Sequence, residues 1–335
     1  MLISIIGGGG WGLALAKLLH NNGHKILVWE YNARYLATLR DTNANDLLLK
    51  GIVLPTGISY TSSFADLQSF TPEIIIIATP VQFIRNTLRQ TDPTLWTSAN
   101  LLAVISVSKG IEETSLKTVD AILQDELPAA IWNKICALSG PSHAEEVARE
   151  LPTTVVIAGS DDALLQKLQV IFSNSYFRAY RSSDMVGVEI GGAVKNIIAI
   201  AAGIVLGLGF GDNTIGALLT RGIVEISRLG IAMNAKPETF LGLSGIGDLI
   251  TTATSPHSRN RYVGVEIGKG RKLKDILAEM NMVAEGVATT RSVYHLAQQL
   301  QVDMPIVTQV YQALYMDKNP QEAIIELMTR ELKAE

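Results

Sequence analysis

The first half of the chain alternates between two hydrophobic patterns. Continuously apolar runs rich in Ile, Val and Leu predict strands. Most segments between these runs repeat apolar residues at helical spacing, as in "WGLALAKLLHNN", which ends before Gly23. Fully apolar strands that alternate with helices predict an α/β fold with a mostly parallel sheet covered on both faces. The predicted strands are residues 2–6, 25–29, 73–78, 101–107, 135–139 and 153–159.

The second half of the chain lacks this alternation. After about Arg181 the strand pattern fades, and segments of helical period follow one another, separated by Gly and Pro. We therefore predict an α/β domain over residues 1–181 and an all-α domain over residues 182–335. Residues 196–211 are apolar for nearly the length of a membrane helix. They contain several glycines and follow Lys195, so we predict a buried helix and no membrane span.

A glycine-rich stretch follows the first predicted strand. Gly7, Gly9 and Gly12 form a G-x-G-x-x-G pattern between that strand and a helix, with Gly10 and Trp11 inside it. In this context the first glycine permits a tight turn, the second lets backbone approach a pyrophosphate, and the third lets the helix pack on the strand. The pattern predicts dinucleotide binding in a Rossmann-type, doubly wound domain. A strand–turn–helix without a ligand is the alternative.

Further candidate groups follow the later strands. Glu30 comes after the second strand, about 20 residues past the glycines, where a carboxylate can accept hydrogen bonds from an adenosine ribose. A solvated loop carboxylate is the alternative. The turns "ATPVQF", "SVSKGI" and "SGPSHA" each follow a strand, and the second contains Lys109. Because the carboxyl ends of parallel strands open on one crevice, we expect these turns to meet near the glycines.

The helical half contains a set of charged and polar candidates. Lys195 lies among small and aliphatic residues, where desolvation lowers the pKa of an ammonium toward the range useful for proton transfer. A packed stem with its ammonium in water is the alternative. Asp248 falls in a glycine-rich turn. Ser258, Arg259 and Asn260 stand at a predicted helix start that suits a phosphate, with a simple helix cap and solvated arginines as the alternative.

The composition narrows the possible function classes. The chain has 335 residues, enough for two domains, and a net charge of -4 without a basic stripe, so nucleic acid is not an expected partner. The single cysteine, Cys136, cannot form an internal disulfide, and the N-terminus lacks a charged leader, so a reducing cytoplasmic location is expected. The five histidines form no H-E-x-x-H zinc motif, so no metal is expected.

Several long motifs together resemble one family. "GGGGWGLALA", "SVSKGIE", "LSGPSHAEEVA", "GGAVKNIIAIAAGI", "TRGIVEISRLG", "SGIGDLITT", "SRNR" and "VAEGVATT" stand in the order and approximate spacing of the bacterial-type NAD(P)-dependent sn-glycerol-3-phosphate dehydrogenases. The resemblance runs from Ile3 to about Leu327. It implies interconversion of dihydroxyacetone phosphate and sn-glycerol 3-phosphate with NAD or NADP, feeding glycerophospholipid synthesis. It also implies a homodimer.

The resemblance implies roles for individual residues. Lys195 is similar to the family's proton donor and acceptor, which agrees with the chemistry, since hydride transfer to a carbonyl leaves negative charge that an ammonium can neutralise. Asp248 either orients Lys195 or binds a substrate hydroxyl. The residues that resemble the substrate-binding set are Lys109, Gly140, Ser142, Lys195, Asp248, Ser258, Arg259 and Asn260.

Pattern and resemblance together give the expected cofactor contacts. Many relatives carry a basic residue or a histidine at the position of Tyr31, which suits the 2′-phosphate of NADP. The carboxylate of Glu30 would favour NAD, whereas Arg34 could recruit NADP, so the cofactor choice stays open. The expected contacts are Gly7, Gly9, Gly10, Trp11, Gly12, Glu30, Tyr31, Lys109, Ala144, Arg259, Val283 and Glu285.

Two other functions fit part of these observations. A two-domain dehydrogenase of another 2-hydroxy or 3-hydroxy acid would share the glycines but would not need "SRNR" to bind a phosphate. A non-enzymatic redox sensor that only binds the dinucleotide would need neither Lys195 nor Arg259. Activity with dihydroxyacetone phosphate, compared with unphosphorylated dihydroxyacetone, separates these functions.

Overall fold

Continuously apolar segments of the first half form the centre of a sheet. A computed structural model of the chain describes residues 1–280, 282–332 and 334. All the predicted strands form, and two further strands, β3 and β8, join them. The strands are β1 (Leu2–Ile6), β2 (Lys25–Trp29), β3 (Ser59–Thr61), β4 (Ile74–Ile77), β5 (Ala103–Ser106), β6 (Ile135–Ser139), β7 (Thr153–Gly159) and β8 (Phe177–Ser182).

The sheet has the order β3-β2-β1-β4-β5-β6-β7-β8. Neighbouring strands run parallel, except that β6 and β7 are antiparallel. β1 lies between β2 and β4, so the strand order reverses there and leaves a topological switch point at the carboxyl ends of β1 and β4. The predicted mostly parallel, doubly wound sheet is therefore confirmed.

The two strands that sequence analysis missed are the edge strands. β3 has only three residues, two of them polar. In β8, buried Phe177 and Ala179 alternate with exposed Arg178 and Tyr180, because only one face of this strand is covered. Neither strand has the continuous apolar run that marks a central parallel strand, such as the four buried isoleucines of β4.

Amphipathic helices connect the strands, as the helical spacing predicted. The first of these helices ends at Asn21, just ahead of Gly23, whose φ of 86° lies in the left-handed region that favours glycine. The helices up to β8 are α1 (Gly10–Asn21), α2 (Ala33–Thr42), α3 (Phe64–Phe70), α4 (Val81–Leu88), α5 (Val119–Glu126), α6 (Ala144–Ala148) and α7 (Asp162–Phe172).

The chain divides into two compact units. Unit 1 comprises Met1–Lys109 and Lys117–Glu189, and it contains the whole sheet. Unit 2 comprises Gly110–Leu116 and Ile190–Glu335, and its regular elements are helices throughout the described residues. An α/β part followed by a helical part is the predicted fold class. The domain boundary between residues 181 and 182 stays a prediction.

The helices after β8 begin with a long apolar one. α8 is long and apolar enough to cross a membrane, but 89% of its apolar window is buried inside the protein. The predicted buried helix is thus confirmed, although it ends at Gly207 and not at Gly211. These helices are α8 (Met185–Gly207), α9 (Asp212–Ala232), α10 (Asp248–Thr254), α11 (Arg259–Gly268), α12 (Leu273–Glu279), α13 (Glu285–Leu300), α14 (Pro305–Tyr315) and α15 (Pro320–Met328).

A close crossing of α8 and α11 depends on glycine. A Cβ atom at Gly203 would lie 2.1 Å from the carbonyl oxygen of Arg261, and one at Gly264 would lie 2.0 Å from that of Ile200. These distances are far below van der Waals contact, so any side chain at either position would push the two helices apart. The crossing matters for function because both helices carry candidate site residues.

Candidate functional site

The glycines after β1 divide into two kinds. Gly7 has a φ of 121°, and its Cβ would lie 2.7 Å from the carbonyl carbon of Ala78. A Cβ at Gly12 would lie 2.0 Å from the carbonyl oxygen of Gly7, so these two glycines let α1 pack on the sheet. Gly9 differs from both, because its Cβ would meet nothing within 4 Å. The open space beside Gly9, directly before the N-terminus of α1, fits a pyrophosphate group.

Gly10 and Trp11 are the first residues of α1. A Cβ at Gly10 would lie 2.8 Å from the carbonyl oxygen of Leu48 and 3.9 Å from the Cβ of Ala144, the first residue of α6. The structure therefore places Ala144 next to the glycine-rich stretch, where it was expected. Trp11 is partly exposed at the start of the helix.

The turns after β4, β5 and β6 meet in unit 1, as expected from the parallel strands. The hydroxyl of Thr79 donates to the Ile6 carbonyl at 3.0 Å, and Ser108 Oγ donates to the Thr79 carbonyl at 2.5 Å. Lys109 Nζ continues the series by donating to the Gly140 carbonyl at 3.0 Å. Contacts thus run without a break from the end of β1 to the end of β6.

Gly140 forms a turn that brings two other candidates together. Its φ is 130°, and a Cβ there would lie 3.0 Å from the Cα of Val155, so the position requires glycine. Its carbonyl oxygen accepts hydrogen bonds from Lys109 Nζ and from Ser142 Oγ, the latter at 2.9 Å. Three of the expected substrate-binding residues are therefore in direct contact.

Glu30 lies against the glycine-rich stretch and is not a solvated loop carboxylate. It is 4% exposed, and a Cβ at Gly8 would lie 2.8 Å from its Oε2 atom. The Asn32 N–H donates to Glu30 Oε1 at 2.7 Å. Burial raises the pKa of the carboxyl, and hydrogen bonds from the backbone of Asn32 and Gly8 oppose this rise. Tyr31, the next residue, is 76% exposed.

A buried charged group of the helical unit, Lys195, lies in the middle of α8. Its Nζ atom is 2.6 Å from Asp248 Oδ1 and 2.5 Å from Thr252 Oγ1. All three residues are at most 5% exposed. The packed lysine with its ammonium in water is thereby ruled out, because the ammonium is buried in an ion pair. Asp248 thus contacts Lys195 directly, a geometry that suits orientation of the ammonium.

A second polar contact fixes α8 beside this ion pair. Asn260 of α11 donates through Nδ2 to Asn196 Oδ1 at 2.9 Å, and the Gly286 N–H of α13 donates to Asn260 Oδ1 at 2.9 Å. Asn196 directly follows Lys195 in the sequence. The buried amide of Asn260 therefore holds three helices in register around the lysine.

The start of α11 combines a helix cap with an exposed cation. Ser258 is the N-cap residue, and its Oγ accepts a hydrogen bond from the Arg261 N–H at 3.2 Å. Arg259 is exposed, and its guanidinium donates to the Val283 carbonyl at 2.7 Å. Glu285 begins α13 two residues after Val283. The expected residues around Arg259 therefore lie together in unit 2.

Sequence analysis missed two residues of this arrangement, Thr252 and Asn196. Thr252 stands four residues after Asp248 in α10, so the two side chains share one face of the helix. That spacing is a signal that could have identified Thr252 once Asp248 was a candidate. Across the described ranges 1–280, 282–332 and 334, no group of three His, Cys, Asp or Glu residues is arranged to hold a metal ion.

Comparisons with known proteins agree with the geometry. The family model for the N-terminus of NAD-dependent glycerol-3-phosphate dehydrogenase matches residues 2–165, and the model for its C-terminus matches residues 184–325. The NAD(P)+ glycerol-3-phosphate dehydrogenase of Geobacter sp. (strain M21) is 50% identical over 99% of this chain and 98% of its own length. That of Syntrophotalea carbinolica is 46% identical over 100% of this chain and 99% of its own length.

A solved structure shows the same fold over the whole chain. The crystal structure of glycerol-3-phosphate dehydrogenase from Coxiella burnetii has a TM-score of 0.90 with this chain at 32% sequence identity. The match covers 98% of this chain and 99% of that protein. The resemblance expected from the motifs is therefore confirmed, and this chain belongs to the NAD(P)-dependent glycerol-3-phosphate dehydrogenase family.

Proposed function

We propose that this chain is an sn-glycerol-3-phosphate dehydrogenase that interconverts dihydroxyacetone phosphate and sn-glycerol 3-phosphate with NAD(H) or NADP(H). The observation that carries the proposal is the buried ammonium of Lys195, held by Asp248 and Thr252 in a chain that matches this family along its length. A protein that only binds a dinucleotide has no need for a buried ammonium, whose removal from water costs free energy.

Unit 1 supplies most of the residues that would hold the dinucleotide. Gly7 and Gly12 fix the turn, the open face of Gly9 and the start of α1 receive the pyrophosphate, and Glu30 accepts hydrogen bonds from the ribose. The remaining proposed contacts are Gly10, Trp11, Tyr31, Lys109, Ala144, Arg259, Val283 and Glu285. When bound, the nicotinamide supplies the hydride for reduction of the C2 carbonyl or accepts it in the reverse direction.

Lys195 carries the proton chemistry. As the C2 carbonyl is reduced, negative charge grows on its oxygen, and the ammonium stabilises this charge and then gives up a proton to form the hydroxyl. In the oxidation direction the amine takes that proton back. Asp248 and Thr252 keep Nζ in place through hydrogen bonds of 2.6 and 2.5 Å, so little reorganisation is needed during the reaction.

The phosphate of the substrate is bound away from the reacting carbon. Arg259 presents a guanidinium at the N-terminus of α11, where Ser258 caps the helix and peptide N–H groups favour an anion. Lys109 and Ser142, grouped on the Gly140 carbonyl, supply further polar contacts from unit 1. Asn260, beside Arg259, is a further proposed substrate contact, and its hydrogen bond to Asn196 also fixes the helix that carries Lys195.

The cellular location, the use of the product and the oligomeric state are proposed from the enzyme family. We propose that it works in the reducing cytoplasm, where the buried thiol of Cys136 stays free, and that its product supplies glycerophospholipid synthesis. We also propose a homodimer, which light scattering on the purified protein would test as a particle of twice the 36.2 kDa chain mass.

One assay tests the activity against its alternatives. Oxidation of NADH and of NADPH is followed with dihydroxyacetone phosphate and, in parallel, with unphosphorylated dihydroxyacetone. We expect turnover with the phosphorylated ketone and a much lower kcat/KM with the other. Equal rates with both ketones would indicate a dehydrogenase of a different substrate, and cofactor binding without any turnover would indicate a redox sensor.

A further inference from the structure

A short segment next to Lys109 is anchored to unit 2. The chain leaves unit 1 after Lys109, and the following residues, Gly110–Leu116, belong to unit 2. We call this segment the strap. Its Ile111 side chain is fully buried, and the Ile111 carbonyl accepts a hydrogen bond of 2.9 Å from the buried Ser292 Oγ of α13. The anchor therefore lies only two residues from Lys109.

Two hydrogen bonds within the strap also hold it in a turn. Ser115 Oγ donates to Glu112 Oε2 at 2.5 Å, and the Leu116 N–H donates to the Glu112 carbonyl at 3.0 Å. Leu116 has a φ of 58°, in the left-handed region that an isoleucine or leucine rarely adopts. Such a turn persists only where its surroundings hold it.

An ion pair provides the second anchor. Arg291 of α13 donates to Glu113 of the strap at 3.1 Å, and these side chains are 44% and 30% exposed. The Arg291 guanidinium also lies over the ring of Tyr315, 4.3 Å from its centroid, and the Tyr315 hydroxyl donates to the Val287 carbonyl at 2.7 Å. Contacts with α13 and α14 thus hold the Arg291 guanidinium in place beside Glu113.

We propose that Arg291 and Ser292 are positioning residues for Lys109: by anchoring the strap on α13, they set where the backbone beside this lysine lies. The proposal rests on the substrate-binding role of Lys109 given above. The effect of Ser292 passes through the two peptide units between Ile111 and Lys109, and that of Arg291 through the four between Glu113 and Lys109. Loosening the strap therefore changes the position of Lys109 and leaves the nucleotide-binding groups around Gly9 and Glu30 unchanged.

The test is a charge exchange across the ion pair. Steady-state kinetics are measured for the wild type, Arg291→Glu, Glu113→Arg and the double variant that restores an opposite-charge pair. Reversing one charge replaces attraction with repulsion, and we expect each single variant to raise KM for dihydroxyacetone phosphate roughly 3- to 10-fold. KM for NADH should change by less than about 2-fold, because Lys109 is one of many proposed cofactor contacts. The double variant should return within about 2-fold of the wild type. A role in stability alone would not give this split between the two KM values.

Two further measurements complete the test. Arg271→Glu reverses the same charge in other surface ion pairs of unit 2, with Glu266 and Glu279, and should leave every kinetic constant unchanged. Hydrogen exchange at the backbone amides of residues 110–112 should speed up in Arg291→Glu and in Ser292→Ala. An active wild type with no change of KM in the single variants, or no recovery in the double variant, overturns the strap proposal alone. A wild type without turnover of dihydroxyacetone phosphate overturns the proposed function as well.

Discussion

Units 1 and 2 supply different kinds of chemical groups. In unit 1 the candidate site consists largely of backbone at the ends of strands, with the open face of Gly9 and the carbonyl of Gly140 at its centre. In unit 2 it consists of charged and polar side chains on helices, with Lys195 and Asp248 buried together. A backbone site depends on local conformation, whereas a buried ion pair depends on how distant helices pack.

Glycine shows the same difference between the units. Gly12 and Gly264 are equally crowded, since a Cβ at either one would lie 2.0 Å from a carbonyl oxygen. Gly12 contacts Gly7, which lies five residues earlier in the same turn, and the G-x-G-x-x-G spacing identifies both. Gly264 meets Ile200, in another helix, and no local pattern marks it. Five predictions test or extend this contrast.

The largest effect should come from the buried charge of unit 2. Lys195→Ala should lower kcat by about 10²- to 10⁴-fold, because the variant loses the proton donor and the charge that stabilises the developing oxyanion. NADH binding, measured by fluorescence titration, should persist because the glycine-rich stretch belongs to unit 1. Lys195→Arg keeps the charge but should recover little turnover, since a guanidinium does not release its proton near neutral pH. Turnover close to that of the wild type in Lys195→Ala would remove Lys195 from the mechanism.

A second buried charge of unit 2 should make stability depend on pH. Glu225 accepts hydrogen bonds from the N–H groups of Ile306 and Val307 at the start of α14, and burial raises its pKa to about 7. The folded state therefore holds this proton more tightly than the unfolded state does. The stability this gives is fully present below the unfolded pKa of 4.5, and about 3 kcal/mol should be lost as pH rises to 7.

Calorimetry on Glu225→Gln, which cannot ionise, checks this prediction. The melting temperature of the wild type should fall relative to that of the variant as the pH rises through this window. If the difference in melting temperature between the two proteins does not change between pH 4.5 and 7, Glu225 is already ionised in the folded protein near pH 4.5.

The exposed cation of unit 2 should affect substrate binding more than turnover. Arg259→Ala removes a guanidinium that we expect to grip the phosphate, at a cost of about 1.5–3 kcal/mol in substrate binding. KM for dihydroxyacetone phosphate should rise accordingly. Cofactor affinity is measured separately, because Arg259 also contacts the Val283 carbonyl in the proposed cofactor set. An unchanged KM would make Arg259 a surface residue without a role in binding.

Two substitutions within one turn should separate packing from ligand binding in unit 1. Gly12→Ala should destabilise the protein by about 1–3 kcal/mol, because its Cβ has no room. Gly9→Ala should fold normally, since Gly9 has a φ of -68° and open space around it, but should weaken NADH binding roughly 10-fold by filling that space. Thermal unfolding and fluorescence titration of both variants measure the two effects. Normal NADH affinity in Gly9→Ala would show that the pyrophosphate binds elsewhere.

The smallest effect concerns the choice of cofactor. The buried carboxylate of Glu30 should repel a 2′-phosphate, so we expect the wild type to prefer NADH. The double variant Glu30→Ala, Tyr31→Arg should move the ratio of kcat/KM values toward NADPH by about 10-fold, or roughly 1.4 kcal/mol. Arg34→Ala is measured in parallel, because Arg34 is the natural cation near this loop that could recruit NADPH. A ratio that does not move would show that the loop after β2 does not contact the ribose.

Much of unit 1 was predictable because its signals are local. Central strands such as β4 have to be apolar on both faces, and the G-x-G-x-x-G spacing reflects steric demands within one turn. The edge strand β8 was not predicted, because one of its faces is exposed to solvent and it therefore lacks a continuous apolar run. In unit 2 the helical spacing predicted helices, and the local sequence made Lys195 and Asp248 candidates, but their roles came from the family resemblance. Thr252 and Asn196 did not become candidates at all.

Local sequence patterns were enough to predict the α/β and helical halves, the glycine-rich turn and the buried character of α8. Three contacts emerge only in the folded chain: Asp248 with Lys195, Asn260 with Asn196, and Ser292 with Ile111 of the strap. These partners stand 53, 64 and 181 residues apart in the sequence. A hydrophobic period of 3.6 residues tells which face of a helix is buried but not which other helix covers it. Contacts between distant helices therefore depend on the packing of the whole unit, which no local pattern encodes.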